Sequence, residues 1–154
     1  MSKALIIAEK PSVAADIAQA LGGFQRMQKG EQRWYEREDL VLTSAYGHLV
    51  ELICPAEQEV GYDLARLPMI PQPFGLKPVD KTKSQLALIK QLAGRADVGS
   101  LINACDAGRE GELIYRYISA AIGSRKPFTR MWLQSMTADA IRAAYNKQRT
   151  AQEM

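Results

Sequence analysis

At 154 residues, with 47% hydrophobic and 24% charged side chains, the chain has the make-up of one soluble globular domain, which excludes both a disordered segment and a small scaffold dependent on staples. The net charge of +3 is compatible with a polyanionic partner without demanding one. Cys54 and Cys105 have neither the number nor the spacing of a disulfide framework or zinc site, which points to a reducing cytoplasm, and no apolar run is long enough to span a membrane.

Ala4, Leu5, Ile6, Ile7 and Ala8 form a continuous apolar run without alternation, the pattern of a strand buried on both faces. Lys10 precedes Pro11 and is therefore disfavoured in helix, so the strand gives way at Glu9 and Lys10. Pro11 and Ser12 suit the opening of a helix in which Val13, Ile17 and Leu21 recur at helical spacing until Gly22 and Gly23 stop it. Residues 24–51 are β-rich. Residues 33–36 and 40–44, separated by the charged Arg37, Glu38 and Asp39, predict a hairpin. Pro55, Pro68, Pro71, Pro73 and Pro78 punctuate a long irregular stretch, expected to be a surface excursion of the same domain.

Leu86, Ile89, Lys90 and Leu92 suit an amphipathic helix over residues 82–93, closed by Gly94. A second buried strand is expected over residues 98–105, a helix over 110–122 ended by Gly123, and a third strand over 128–133. Thr137 caps a last helix running to Tyr145. Strands alternating with helices predict an α/β domain with a mostly parallel sheet covered by helices on both faces, and a β-hairpin excursion.

The segment Asp106-Ala107-Gly108-Arg109-Glu110-Gly111-Glu112 is the leading candidate for chemistry. It places three carboxylates, one guanidinium and two glycines where an apolar strand opens into a helix, the edge at which α/β proteins build their sites. Acids this close repel one another, and a partly hydrated Mg²⁺ is the expected counter-charge. Asp106 stands at the strand end and Glu110 on the first helical turn, so both can face one cation; Gly108 permits a tight turn between them. Glu9 ends the first strand as Asp106 ends another, and parallel strand ends share an edge. The candidate metal ligands are therefore Glu9, Asp106 and Glu110, with Glu9 also the candidate general acid and base. Lys10 is positioned to meet a phosphate oxygen. Arg109 and the single histidine, His48, beside Gly47, are candidate phosphate contacts. Glu112 is expected to turn away from Glu110 and pair with Arg116 at i, i+4. Cys105, Trp34 and Trp132 read as packing residues.

Four segments in order, Ile7-Ala8-Glu9-Lys10-Pro11-Ser12, Ala45-Tyr46-Gly47-His48-Leu49, residues 106–112 and Leu133-Gln134-Ser135-Met136-Thr137, resemble the amino-terminal Toprim domain of type IA DNA topoisomerases, in particular the bacterial topoisomerase III branch. Leu76-Lys77-Pro78-Val79-Asp80-Lys81-Thr82-Lys83 resembles the same proteins, so the likeness spans nearly the whole chain. The resemblance implies a compact Rossmann-like Toprim fold over residues 1–150, a tail at 151–154, Mg²⁺ dependence, and breakage and rejoining of single-stranded DNA by transesterification. It implies proton transfer by Glu9, phosphate contact by Lys10, and metal binding at Asp106 and Glu110. The family's acidic motif carries a middle acid where this chain has Gly108, which favours a single, more hydrated ion. Its nucleophilic tyrosine belongs to a later domain beyond residue 154, so downstream topoisomerase domains are expected to complete the site and the fragment alone to be inactive. Two other readings fit the same residues: another Toprim enzyme, nuclease or primase-like, and a non-catalytic module that binds single-stranded DNA.

Overall fold

The computed structural model describes residues 2–53, 65, 75–150 and 153. The chain alternates β1 (Lys3–Ala8), α1 (Pro11–Leu21), β2 (Gln25–Lys29), β3 (Gln32–Glu36), β4 (Leu40–Ser44), β5 (Val50–Ile53), β6 (Gly75–Pro78), α2 (Lys83–Ala93), β7 (Val98–Ala104), α3 (Arg109–Ile122), β8 (Phe128–Arg130), α4 (Ala138–Asn146) and β9 (Arg149–Thr150). Seven strands form one sheet in the order β2-β3-β4-β1-β7-β8-β9. The four central strands are parallel, and the edges close with antiparallel pairs.

Strand β1 sits between β4 and β7, which explains why its sequence lacks alternation: both of its faces are covered. Leu5 and Ile7 face the core under α2 and α3, whereas Ile6 and Ala8 face the core under α1 and α4. Leu5, Ile6, Ile7 and Ala8 are all fully buried. The α/β expectation, with helices on both faces, holds.

Local signals placed most helix ends correctly. Gly22 at φ 68° ends α1 and Gly123 at φ 65° ends α3, both in the left-handed region that glycine enters without a Cβ clash. Thr137 accepts a hydrogen bond from the Ala140 amide at 3.4 Å and starts α4. Strand β8 is shorter than the expected 128–133, because the sheet ladder ends at Arg130. Three features were not individually expected from the sequence, although β2 falls in the stretch 24–51 read as β-rich. Strand β2 is exposed along its whole length, so it carries no apolar alternation. Strand β9 has only two residues, and β5 and β6 pair antiparallel as a separate two-stranded sheet. Most of the proline-punctuated stretch, Cys54 and the tail residues 151, 152 and 154 lie outside the described residues.

The chain leaves β1 for β4 on one side and later returns to β7 on the other. Strand order therefore reverses at β1, and a crevice opens between the carboxyl ends of β1 and β7, the position where open α/β sheets take ligands. Among the described residues no helix is long and apolar enough to cross a membrane.

Candidate active site

Glu9 and Asp106 meet at that crevice. Pairing of Ala8 with Ala104 puts the two strand ends side by side, and the Asp106 amide donates to Glu9 Oε2 at 3.3 Å. Glu9 is buried, with 7% of its surface exposed. Its other oxygen lies 3.2 Å from the Lys10 ammonium. That ammonium is held above the ordinary lysine value, first by its bond to Glu9, then by the charges of Glu9, Asp106 and Glu110. Lys10 thus gathers the field of all three acids while its own side chain remains exposed.

The opposite wall is the loop after β4. Ala45 donates its amide to the Ala8 carbonyl at 2.8 Å, and Gly47 donates to the Glu9 carbonyl at 3.3 Å. Gly47 adopts φ 78°, which turns the chain so that His48 Nε2 comes to 3.4 Å from Glu110 Oε1. His48 and Glu110 are 62 positions apart in sequence, and only this stitched loop brings them together. Arg109 is exposed at the start of α3 and has no hydrogen-bond or ion-pair partner among the described residues.

Beneath the acidic turn lies a group that the sequence reading missed. Arg130 is 1% exposed, donates to the carbonyls of Cys105 at 3.2 Å and Asp106 at 3.4 Å, and pairs with Glu112 at 3.0 Å. Glu112 pairs with Arg116 at 2.7 Å as expected, but it also accepts from Asn103 Nδ2 at 3.2 Å. Asn103 in turn accepts the Cys105 amide at 2.9 Å. The acidic turn is therefore held from below by a buried guanidinium, an amide and a carboxylate that bond to one another and to the backbone of the turn. The available signal was Arg130 itself, a charged residue in a run that is apolar apart from Thr129.

The glycines also change roles. Gly108 has φ 177° and ψ 175°, extended backbone open to any residue, and a Cβ there would meet nothing within 4 Å. The crowded position is Gly111, where a Cβ would lie 2.2 Å from the Asp106 carbonyl oxygen. Gly111, not Gly108, lets α3 begin directly under the strand end.

Among the described residues no three acidic, histidine or cysteine side chains form a ready-made metal cage, so the expected trio of Glu9, Asp106 and Glu110 does not close on one point. Glu9 is occupied by Lys10 and an amide, whereas the Asp106 carboxylate has no partner among the described residues and the Glu110 side chain is 79% exposed. Two accessible hard-oxygen donors suit Mg²⁺, which usually keeps several waters and takes one or two carboxylates. The nearby Cys105 and Tyr115 are not nucleophiles. Burial pushes the thiol up to about 12, and burial likewise raises the Tyr115 hydroxyl.

A model of the Toprim domain matches residues 4–135. The chain belongs to the Toprim domain family. It is similar to DNA topoisomerase 3 of Bacillus subtilis (strain 168), 38% identical over 156 residues that cover 99% of this chain and 21% of that protein. DNA topoisomerase 3 of Bacillus cereus (strain ATCC 10987 / NRS 248) is 40% identical over 148 residues, covering 94% of this chain and 20% of that protein. The full-length topoisomerase I structure from Thermotoga maritima superposes with a TM-score of 0.59 at 21% identity, over 95% of this chain and 21% of that one. This Toprim domain therefore shares its fold with a part of that protein, and it spans about a fifth of the curated relatives it matches.

Proposed function

We propose that this Toprim domain is the Mg²⁺-dependent part of a type IA topoisomerase active site, of the topoisomerase III kind, which breaks and rejoins single-stranded DNA. The observation that carries this reading is the buried Glu9 carboxylate, held between the Lys10 ammonium and the Asp106 amide at the junction of two parallel strand ends. Similarity to DNA topoisomerase 3 along nearly the whole chain supports it.

In this reading a tyrosine from the remainder of the protein attacks the backbone phosphorus, forming a phosphotyrosyl bond as the bond to the sugar oxygen breaks. Lys10 faces the phosphate and stabilises charge growing on its non-bridging oxygens. The Glu9 carboxylate takes the proton of the attacking tyrosine hydroxyl and gives it to the departing sugar oxygen, and the transfer reverses when the strand is rejoined. Burial and the contact with the Lys10 ammonium keep that carboxyl in one place. His48, 3.4 Å from Glu110, and Arg109, the residue before Glu110, hold the flanking phosphates. Asp106 and Glu110 hold the metal, and Arg130 fixes the turn that carries Asp106. Bound there, Mg²⁺ supplies positive charge to the phosphate oxygens and orients the strand.

Isothermal titration of Mg²⁺ into the chain tests the metal half. Binding is expected to be lost in Asp106→Asn and Glu110→Gln and retained in Glu9→Gln; unchanged binding in both of the first two variants overturns the assignment. The catalytic half is tested in the full-length protein carrying this domain, where Glu9→Gln is expected to abolish single-strand cleavage. Metal-dependent nicking by the 154-residue chain alone would favour a nuclease instead. Strand binding indifferent to Mg²⁺ and to both carboxylates would favour a non-catalytic module.

A further inference from the structure

The β2–β3 hairpin carries two arginines whose charge the fold leaves unused. Arg37, Arg95, Arg116, Arg130 and Arg142 each hold a carboxylate. Arg26 and Arg33 have no hydrogen-bond or ion-pair partner among the described residues. Their placement is not scattered. Arg26 stands opposite Tyr35 and Gln28 opposite Arg33, so all four share one face of the hairpin. Arg26 and Arg33 are then diagonal cross-strand neighbours, about 7–8 Å apart at the backbone.

The hairpin also points the right way. Pairing between β3 and β4 stops at Tyr35 and Leu42, and β3 continues away from β4 toward Gln32. The two strands run antiparallel, so Arg33 lies toward the carboxyl end of β4, where Ser44 is in register with Ala8 just before Glu9. The divergence opens a cleft of ≈ 260 Å³ whose lining includes Arg26, Arg33, Tyr35, Ser44, Tyr46 and Pro11. Pro11 directly follows Lys10. Tyr46, 51% exposed, belongs to the same loop as His48. That loop therefore contributes His48 to the acidic site and Tyr46 to the cleft.

Protection of a sheet edge against aggregation would account for one charged residue on β2. It does not account for Arg33, which lies on a strand that β2 already covers, nor for two tyrosines beside the guanidiniums. Paired, uncommitted arginines next to aromatic rings are the chemistry of a single-stranded nucleic acid track: phosphates on the guanidiniums and a base against an aromatic face.

We infer that the cleft between the β2–β3 hairpin and the start of α1 is an accessory binding site for the phosphodiester backbone of single-stranded DNA. Arg26 and Arg33 hold successive phosphates, and Tyr46 stacks on a base, leading the strand onto Lys10 and Glu9. This rests on the topoisomerase reading given above, and it assigns the strand a direction across the domain.

The test is the anisotropy of a fluorescein-labelled oligothymidylate titrated with the 154-residue chain across a range of salt concentrations. Arg26→Ala and Arg33→Ala are each expected to weaken binding several-fold and to reduce the slope of log K against log salt by about 0.7, the double variant by about 1.4. Restoring charge in an Arg26→Lys, Arg33→Lys double variant is expected to recover most of the slope. Tyr46→Ala is expected to weaken binding with the slope unchanged. Unchanged thermal unfolding would show that these exposed side chains are not structural. Absence of wild-type binding, or affinity and slope unchanged in the double alanine variant, overturns the cleft. If that unchanged binding is instead lost in Lys10→Ala, the catalytic reading survives while the cleft does not. A fall in the arginine variants, together with Mg²⁺ binding indifferent to Asp106→Asn and Glu110→Gln, supports the cleft and counts against the catalytic reading.

Discussion

Gly111→Ala should disturb the acidic turn far more than Gly108→Ala, although both glycines lie in the same seven-residue motif. At Gly111 a methyl carbon would stand 2.2 Å from the Asp106 carbonyl oxygen and 2.9 Å from its amide nitrogen. Both are backbone atoms, and the oxygen must withdraw by more than an ångström to reach ordinary contact at 3.4 Å. Overpacking of this kind costs roughly 1–3 kcal/mol. At Gly108 the backbone is extended and the space is open, so alanine should be neutral or stabilise by about 0.4–1 kcal/mol, by narrowing the unfolded ensemble. The two variants should therefore differ by about 1–4 kcal/mol. Urea unfolding followed by far-ultraviolet circular dichroism measures the difference, and Mg²⁺ titration reports displacement of Asp106. If Gly111→Ala proves as stable as Gly108→Ala and binds Mg²⁺ equally well, the close approach of α3 to the strand end is wrong.

The open geometry at Gly108 has a converse: Gly108→Asp should fold normally and raise Mg²⁺ affinity by adding a third carboxylate, as titration calorimetry would reveal. Arg130→Met removes a guanidinium that is 1% exposed but leaves Glu112 its Arg116 partner, so the loss should fall near the lower end for a broken buried pair, about 3 kcal/mol. A melting temperature lowered by roughly 6–12 °C is the expected readout. Tyr115→Phe removes a buried hydroxyl with no hydrogen-bond partner among the described residues, and chemical unfolding should find it unchanged or up to about 1 kcal/mol more stable. Far from the site, Arg95 first, then Lys3 and Trp34, hold the Glu36 carboxyl down from an ordinary 4.5 to about 2. Because the folded value is the lower one, its contribution is fully present above pH ~4.5 and is lost as the pH falls toward 2. After allowance for solvent screening this amounts to about 2 kcal/mol, and Glu36→Gln should flatten the acid limb of stability over that interval.

Local chemistry made the strand-turn-helix units legible in the sequence. An unbroken apolar run of five residues before a turn suits a covered strand, Pro11 suits the opening of a helix, and Gly22 and Gly123 stop helices because they enter conformations that a Cβ resists. The acids at two strand ends followed from the same units, since parallel strands bring their carboxyl ends to one edge. What the sequence left open depended on neighbours distant along the chain. Strand β2 bears no apolar stripe because nothing covers it. Arg130 stands out in the sequence only as a charge among mostly apolar neighbours, and its role appears when three acceptors, from the residue after β7, the acidic turn and α3, surround it. Gly108 and Gly111 are equivalent as letters, and only the approach of one backbone to another separates them. The sequence by itself determined which residues bear charge at the sheet edge. Tertiary structure decided which of those charges are spent on one another and which, at Asp106, Glu110, Arg26 and Arg33, remain open to a ligand, because desolvation and pairing depend on three-dimensional neighbours rather than chain order.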